Sequence, residues 1–145
     1  VHSDANDPIW QDLAVLERLV RESRTVAVVG LSANPARPSH GVARYLRAAG
    51  LTVYPVNPAL PSWEGLPAYA TLADVPDHID IVDVFRRPEH ATEVAREAVA
   101  VGAGALWLQL GVISPEAATL ASAAGLDVVM DRCLAVEHRE VTGWS

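Results

Sequence analysis

The chain has 145 residues, half of them hydrophobic and 20 % charged, with a formal net charge of −7 at pH 7 and a sequence pI near 5.1. That is one domain, long enough to bury about 70 % of its unfolded surface without disulfide staples, with an acidic balance that argues against a nucleic-acid surface. Every basic residue is Arg and none is Lys, which removes a P-loop lysine, Schiff-base chemistry and a lysine general base.

Residues 1–8 are polar and expected to fray, residues 9–140 carry the domain, and 141–145 read as a tail. Ile9, Leu13, Leu16 and Val20 recur at helical spacing, which predicts an amphipathic helix with Asp7 as its cap and Pro8 at its first position. Val26–Val29 is a short apolar run without alternation, as expected of a parallel strand buried on both faces. Gly30 ends it. After the small, polar and proline residues up to Pro38, Val42, Tyr45, Leu46 and Ala49 restore helical spacing, with Ser39 as the predicted N-cap and Gly50 as the stop. Strand, glycine turn and helix start together favour an anion, because the first amides of a helix are free and the dipole is positive there.

The second strand is Thr52–Val56, and it ends in Asn57-Pro58 with no carboxylate for the ribose hydroxyls of NAD. Asn57–Ala70 is too rich in Pro and Gly to be regular, and Leu72–Val75 is long enough for one helical turn. Ile79–Phe85 is the third strand, made less apolar by Asp80 and Asp83. Pro88 opens a helix whose apolar face is Ala91, Val94, Ala95, Ala98 and Val99. Ala105–Leu110 is the fourth strand, Ser114-Pro115-Glu116 starts a capped helix that Gly125 closes, and Leu126–Met130 is the fifth strand. The stretch from Asp131 onward has no clear period.

Alternating strands and helices imply a single α/β domain, Rossmann-like and doubly wound, with a mostly parallel five-stranded sheet and right-handed crossovers. The expected strand order is 3-2-1-4-5, with a ligand cleft between the first and fourth strands. Gly30–Ser39, Asn57–Pro58, Phe85–Arg87, Gln109–Gly111 and Asp131–Cys133 would then meet at one carboxyl edge. An anion bound there has to be met by backbone amides and by Arg37, Arg86, Arg87 or Arg132.

These blocks resemble a known family. Gly30-Leu31-Ser32, Pro35-x-Arg37-Pro38-Ser39, Tyr45-Leu46, Pro55-Val56-Asn57-Pro58, Val84-Phe85-Arg86, Trp107 to Gly111, and Asp131-Arg132-Cys133 with Glu137-His138 are similar to the small stand-alone CoA-binding proteins. They are similar also to the N-terminal CoA-binding domain of the succinyl-CoA synthetase α subunit. The resemblance covers residues 23–140 and implies coenzyme A, free or acylated, in a Rossmann-like cleft. It implies a phosphate loop over Gly30, Ser32, Ala33, Asn34, Arg37 and Ser39, with Val56, Asn57, Pro58, Phe85 and Arg86 flanking the nucleotide. Gln109 and Gly111 complete the candidate set, near the pantetheine arm. Asn57 reads equally as a turn-former, Phe85 as core, and Gln109 as a residue that satisfies backbone. Ligase catalysis is not carried over, because the phosphorylated-histidine and ATP-grasp parts have no counterpart here.

Cys133, the only cysteine, excludes an internal disulfide framework and fits a reducing, cytoplasmic setting. It stands at the expected cleft edge, where a thiolate could form a mixed disulfide with CoA or take an acyl group, although a buried structural cysteine reads as well. No catalytic constellation and no metal-ligand spacing stand out among the five His. The reading is therefore a CoA-binding protein without catalysis of its own, with no membrane partner and with a homodimer or a protein partner left open. The alternatives are an NAD(P)-binding or Cys133-dependent enzyme, or a CoA-binding subunit of a larger acyl-CoA synthetase-type complex.

Overall fold

The computed structural model describes residues 10–144. In chain order it has α1 (Leu13–Glu22), β1 (Thr25–Val29), α2 (Pro38–Ala48), β2 (Thr52–Val56), β3 (Ser62–Trp63), β4 (Leu66–Pro67) and β5 (Ile81–Val84). α3 (Pro88–Ala100), β6 (Ala105–Leu108), α4 (Pro115–Ala123), β7 (Asp127–Met130) and α5 (Leu134–Thr142) follow. β2, β1, β5, β6 and β7 form one parallel sheet in that order, and β3 and β4 form a separate antiparallel pair.

Alternation along the strands divides the core in two. Val29, Val56, Val84, Leu106 and Met130 face α3 and α4, while Val28, Ile81, Trp107 and Val129 face the layer of α1, α2 and α5. The five-stranded α/β class is as expected, and the order is not. β5, the third long strand, lies between β1 and β6, so the observed order of the five long strands is 2-1-3-4-5 instead of 3-2-1-4-5. The cause is visible in β2, which carries Pro55. Proline has no N–H for a second ladder and is confined to sheet edges. Pro55 turns its carbonyl away from β1, where Tyr69 N donates to it at 2.9 Å, and Asn57 N donates back to Tyr69 O at 2.8 Å. β5, buried at all four positions, takes the interior place.

The segment after β2 is more ordered than its composition suggests. It wraps the sheet edge. A tight turn with positive φ at Glu64 and Gly65 joins β3 to β4. This pair drops Trp63 into the core beside α2, with its ring edge-on to His40 at 5.4 Å between centroids. The chain returns through Tyr69 to a single 3-10 turn, Leu72–Asp74, held by the Thr71–Asp74 capping box.

Helix starts follow local chemistry. Asp12 caps α1 through Ala14 N and Val15 N, so α1 begins later than Ile9, Leu13 is exposed, and the expected Asp7 cap and Pro8 lie outside the described residues. Ser114 caps α4 through Ala117 N, as expected. The stretch after Asp131, without a clear period in sequence, forms α5, which packs on α1.

Candidate functional site

The carboxyl end of β1 sets the site. Gly30 has φ +86°, its N–H donates to Val56 O at 2.9 Å, and a Cβ there would stand 2.8 Å from Phe85 O and 3.1 Å from Arg86 Cδ. Only glycine lets β1 leave the sheet this close to the end of β5. The loop that follows is folded by its own short side chains. Ser32 Oγ accepts from Asn34 N, Asn34 Oδ1 accepts from Ala36 N, and Asn34 O accepts from Arg37 N, each at 3.0 Å.

Ser39 is not the cap of α2. Arg37 holds the cap position and Pro38 the first helical one, where a missing N–H costs nothing. Ser39, in the first turn and 4 % exposed, instead accepts from Ser32 N at 3.0 Å, which ties the loop back onto the helix start. Asn57 closes the other side. Its Nδ2 donates to Leu31 O at 3.0 Å, and its Oδ1 accepts from Ala59 N at 2.8 Å. Both functions of this amide are used within the scaffold.

Two clefts open at this edge and meet at Gly30 and Phe85. The smaller, about 280 Å³, is lined by Ser32, Arg37, Pro38 and Ser39 at the start of α2. The larger, about 560 Å³, has Val29 and Val56 in its lining, with Asn57, Pro58, Ala70 and Thr71 from the edge wrap and with Arg86, Val94 and Glu97. Such volumes suit a nucleotide-sized ligand. They stand where the strand order reverses, between β1 and β5, which is the switch point of a 2-1-3-4-5 sheet. The expectation of a cleft between the first and fourth strands is corrected with the strand order.

Of the sequence candidates, Gly30, Ser32, Arg37, Ser39, Val56, Asn57, Pro58, Phe85 and Arg86 line these clefts. Ala33 and Asn34 lie in the exposed loop between β1 and α2 and line neither cleft. Gln109 and Gly111 are away from the cleft linings, one strand further over. Gln109 Oε1 accepts from Leu134 N at 3.2 Å, and Gly111 N donates to Asp131 Oδ1 at 2.8 Å. Together with the bond from Trp107 Nε1 to Arg132 O at 2.8 Å they fasten the turn from β7 into α5. Arg132 pairs with Glu137 and Gln11 there.

Cys133 is half-buried at the cap of α5 and packs against the core layer that Phe85 also borders. His138 does not serve it. Its ring is buried, which holds its pKa below the usual histidine value, and its Nδ1 lies 2.8 Å from Tyr45 Oη. Among the described residues no His, Cys, Asp and Glu cluster could hold a metal ion, and no helix is long and apolar enough to cross a membrane.

Sequence reasoning missed Ala70, Thr71, Val94 and Glu97. Two signals were readable. Thr71-x-x-Asp74 has the spacing of a capping box, and Glu97 falls three residues after Val94, on the same side of α3.

Known proteins resemble this chain in sequence and in fold. The chain is 38 % identical over 125 residues to the uncharacterized protein YneT of Bacillus subtilis (strain 168), which covers 86 % of this chain and 93 % of that protein. A structure from Thermus thermophilus, cell-free ID.343, superposes with a TM-score of 0.82 at 41 % identity, over 87 % of this chain and 96 % of that one. The dinucleotide forming acetyl-coenzyme A synthetase 1 of Ca. Korarchaeum cryptofilum superposes with a TM-score of 0.66 at 27 % identity, over 77 % of this chain and 26 % of that chain. Residues 24–139 match the CoA binding domain, and the chain belongs to that family.

Proposed function

We propose that the protein binds coenzyme A or an acyl-CoA across the two joined clefts and performs no chemistry of its own. The pyrophosphate lies in the smaller cleft, met by amides of the loop and of the α2 start and by the Arg37 guanidinium. The adenosine lies in the larger cleft, beside Arg86. One observation supports this above the rest. A glycine turn, a helix start and two arginines converge where the strand order reverses, and Asn57 stands where NAD-binding domains carry a carboxylate. The setting is cytoplasmic, and the protein acts as a monomer, as a homodimer or with a protein partner. The likeness to about a quarter of an acetyl-CoA synthetase supports a second reading, a CoA-binding subunit whose ligase turnover needs another chain.

Calorimetric titration of the reduced protein with CoA, dephospho-CoA and NAD tests the first reading. Micromolar binding of CoA is expected, with NAD silent. Arg37→Ala should weaken CoA by about tenfold or more, the value of one charge-assisted hydrogen bond. Heat from NAD and none from CoA overturns the ligand assignment. An Arg37→Ala protein that binds CoA as tightly as the native one overturns the loop assignment alone.

A further inference from the structure

Among the described residues, Glu97 is the one carboxylate that lines the two clefts. In a site built for a polyanion this is the wrong sign, since a carboxylate facing phosphates weakens binding unless the ligand offers it a donor. It is also free for that purpose. Among the described residues its side chain makes no hydrogen bond or ion pair, although Arg86 lines the same cleft. Glu97 stands on α3 about two and a half turns beyond Pro88 and one turn past Val94, which lines the same cleft. The cleft beside it has apolar walls, Val29, Val56 and Val94, which suit a flat base.

We propose that Glu97 reads the exocyclic amino group of the base, which makes the larger cleft selective for adenine over hypoxanthine. This rests on the CoA reading above. The chemistry of the ligand leaves few other choices. The donors on the nucleotide half of coenzyme A are the adenine amino group and the ribose 2′-hydroxyl, because the 3′-oxygen is phosphorylated. A carboxylate at the 2′-hydroxyl would sit beside the 3′-phosphate and repel it. The amino group, at the far end of the nucleotide from its phosphates, carries no such conflict, and its N–H donates to Oε1 or Oε2. Hypoxanthine presents a carbonyl oxygen at the same place, so acceptor would face acceptor.

The test is a titration of CoA against deamino-CoA, in which hypoxanthine replaces adenine, with the native protein, Glu97→Gln and Glu97→Ala. The native protein should prefer CoA by about tenfold or more. Glu97→Ala should bind the two ligands within about twofold of each other, and Glu97→Gln, whose amide can donate to the carbonyl oxygen, should do the same or prefer deamino-CoA. Each ratio is taken within one protein, so a variant that is partly unfolded still reports it. A native protein that binds both ligands equally, or variants that keep the native ratio, overturn the role of Glu97 while leaving CoA binding in place. A native protein that binds neither ligand overturns the CoA reading and this inference with it.

Discussion

Replacing Asp83 by Asn should stabilise the fold relative to the native protein by an amount that grows as pH rises. Asp83 sits in β5, opposite Val28 of β1 and Trp107 of β6, fully buried, and among the described residues neither carboxylate oxygen has a hydrogen-bond partner. Burial without compensation raises its pKa well above the usual carboxylate value, so the native state keeps the group protonated where the unfolded chain ionises it. The folded state then binds more protons than the unfolded one. The favourable condition is complete below the unfolded pKa and is lost as pH rises towards the folded one. Each pH unit over which the native carboxyl stays protonated costs about 1.4 kcal/mol. A folded chain of this size holds about 7–20 kcal/mol in all. Asn has the same shape and does not titrate, so Asp83→Asn removes the slope. Its amide also lacks partners, which adds a constant offset, and the slope is therefore the quantity to read. Urea unfolding of both proteins at pH 5, 6, 7 and 8 measures it. A difference in stability that stays constant with pH, or shrinks as pH rises, would refute the burial argument.

Two further substitutions test the loop. Gly30→Ala would place a Cβ 2.8 Å from Phe85 O at a φ of +86°. It should lower Tm by about 3–9 °C, the shift expected of about 1–3 kcal/mol of strain, and thermal melting followed by circular dichroism checks this. Ser39→Ala leaves Ser32 N without its acceptor. It should cost about 1 kcal/mol of stability and also weaken CoA, because the loop then has to be ordered by the ligand; unchanged CoA affinity at a lowered Tm would show that this bond shapes the fold and not the site.

The sequence showed most clearly what local chemistry controls. Val26–Val29, Thr52–Val56, the prolines that open α3 and α4, the Ser114 cap and the glycine after β1 all lie where their spacing puts them. Strand order was harder, because it depends on which edge each strand leaves unpaired. Pro55 held that information and reads as an edge marker once Tyr69 is seen beside it. Asp83 showed in the sequence only as a residue that makes its strand less apolar, and its complete burial did not show. Its neighbour Asp80 behaves in the familiar way. Burial works against its ionisation, but amides of Arg24 and Thr25, the Thr25 hydroxyl and His78 outweigh that and hold its pKa low. Nothing in a one-dimensional pattern separates the two. Glu97 and Thr71 escaped for a related reason, since on a helix face and in a loop each looks like ordinary surface.

The wrap around β2 also has a kinetic consequence. Its base is closed by two backbone hydrogen bonds, between Asn57, Tyr69 and Pro55, and the residues just beyond, Ala70 and Thr71, wall the larger cleft. Breaking two such bonds costs about 1–3 kcal/mol, while Trp63 and Leu72 on either side stay anchored in the core, so opening is confined to the strip around Tyr69–Thr71 while β1 and β5 stay paired. A ligand lying against that wall binds the closed form only. At a concentration one hundred times its Kd it lowers the open population about a hundredfold. Exchange of the Asn57 and Tyr69 amide protons should then slow by the same factor when that ligand is present.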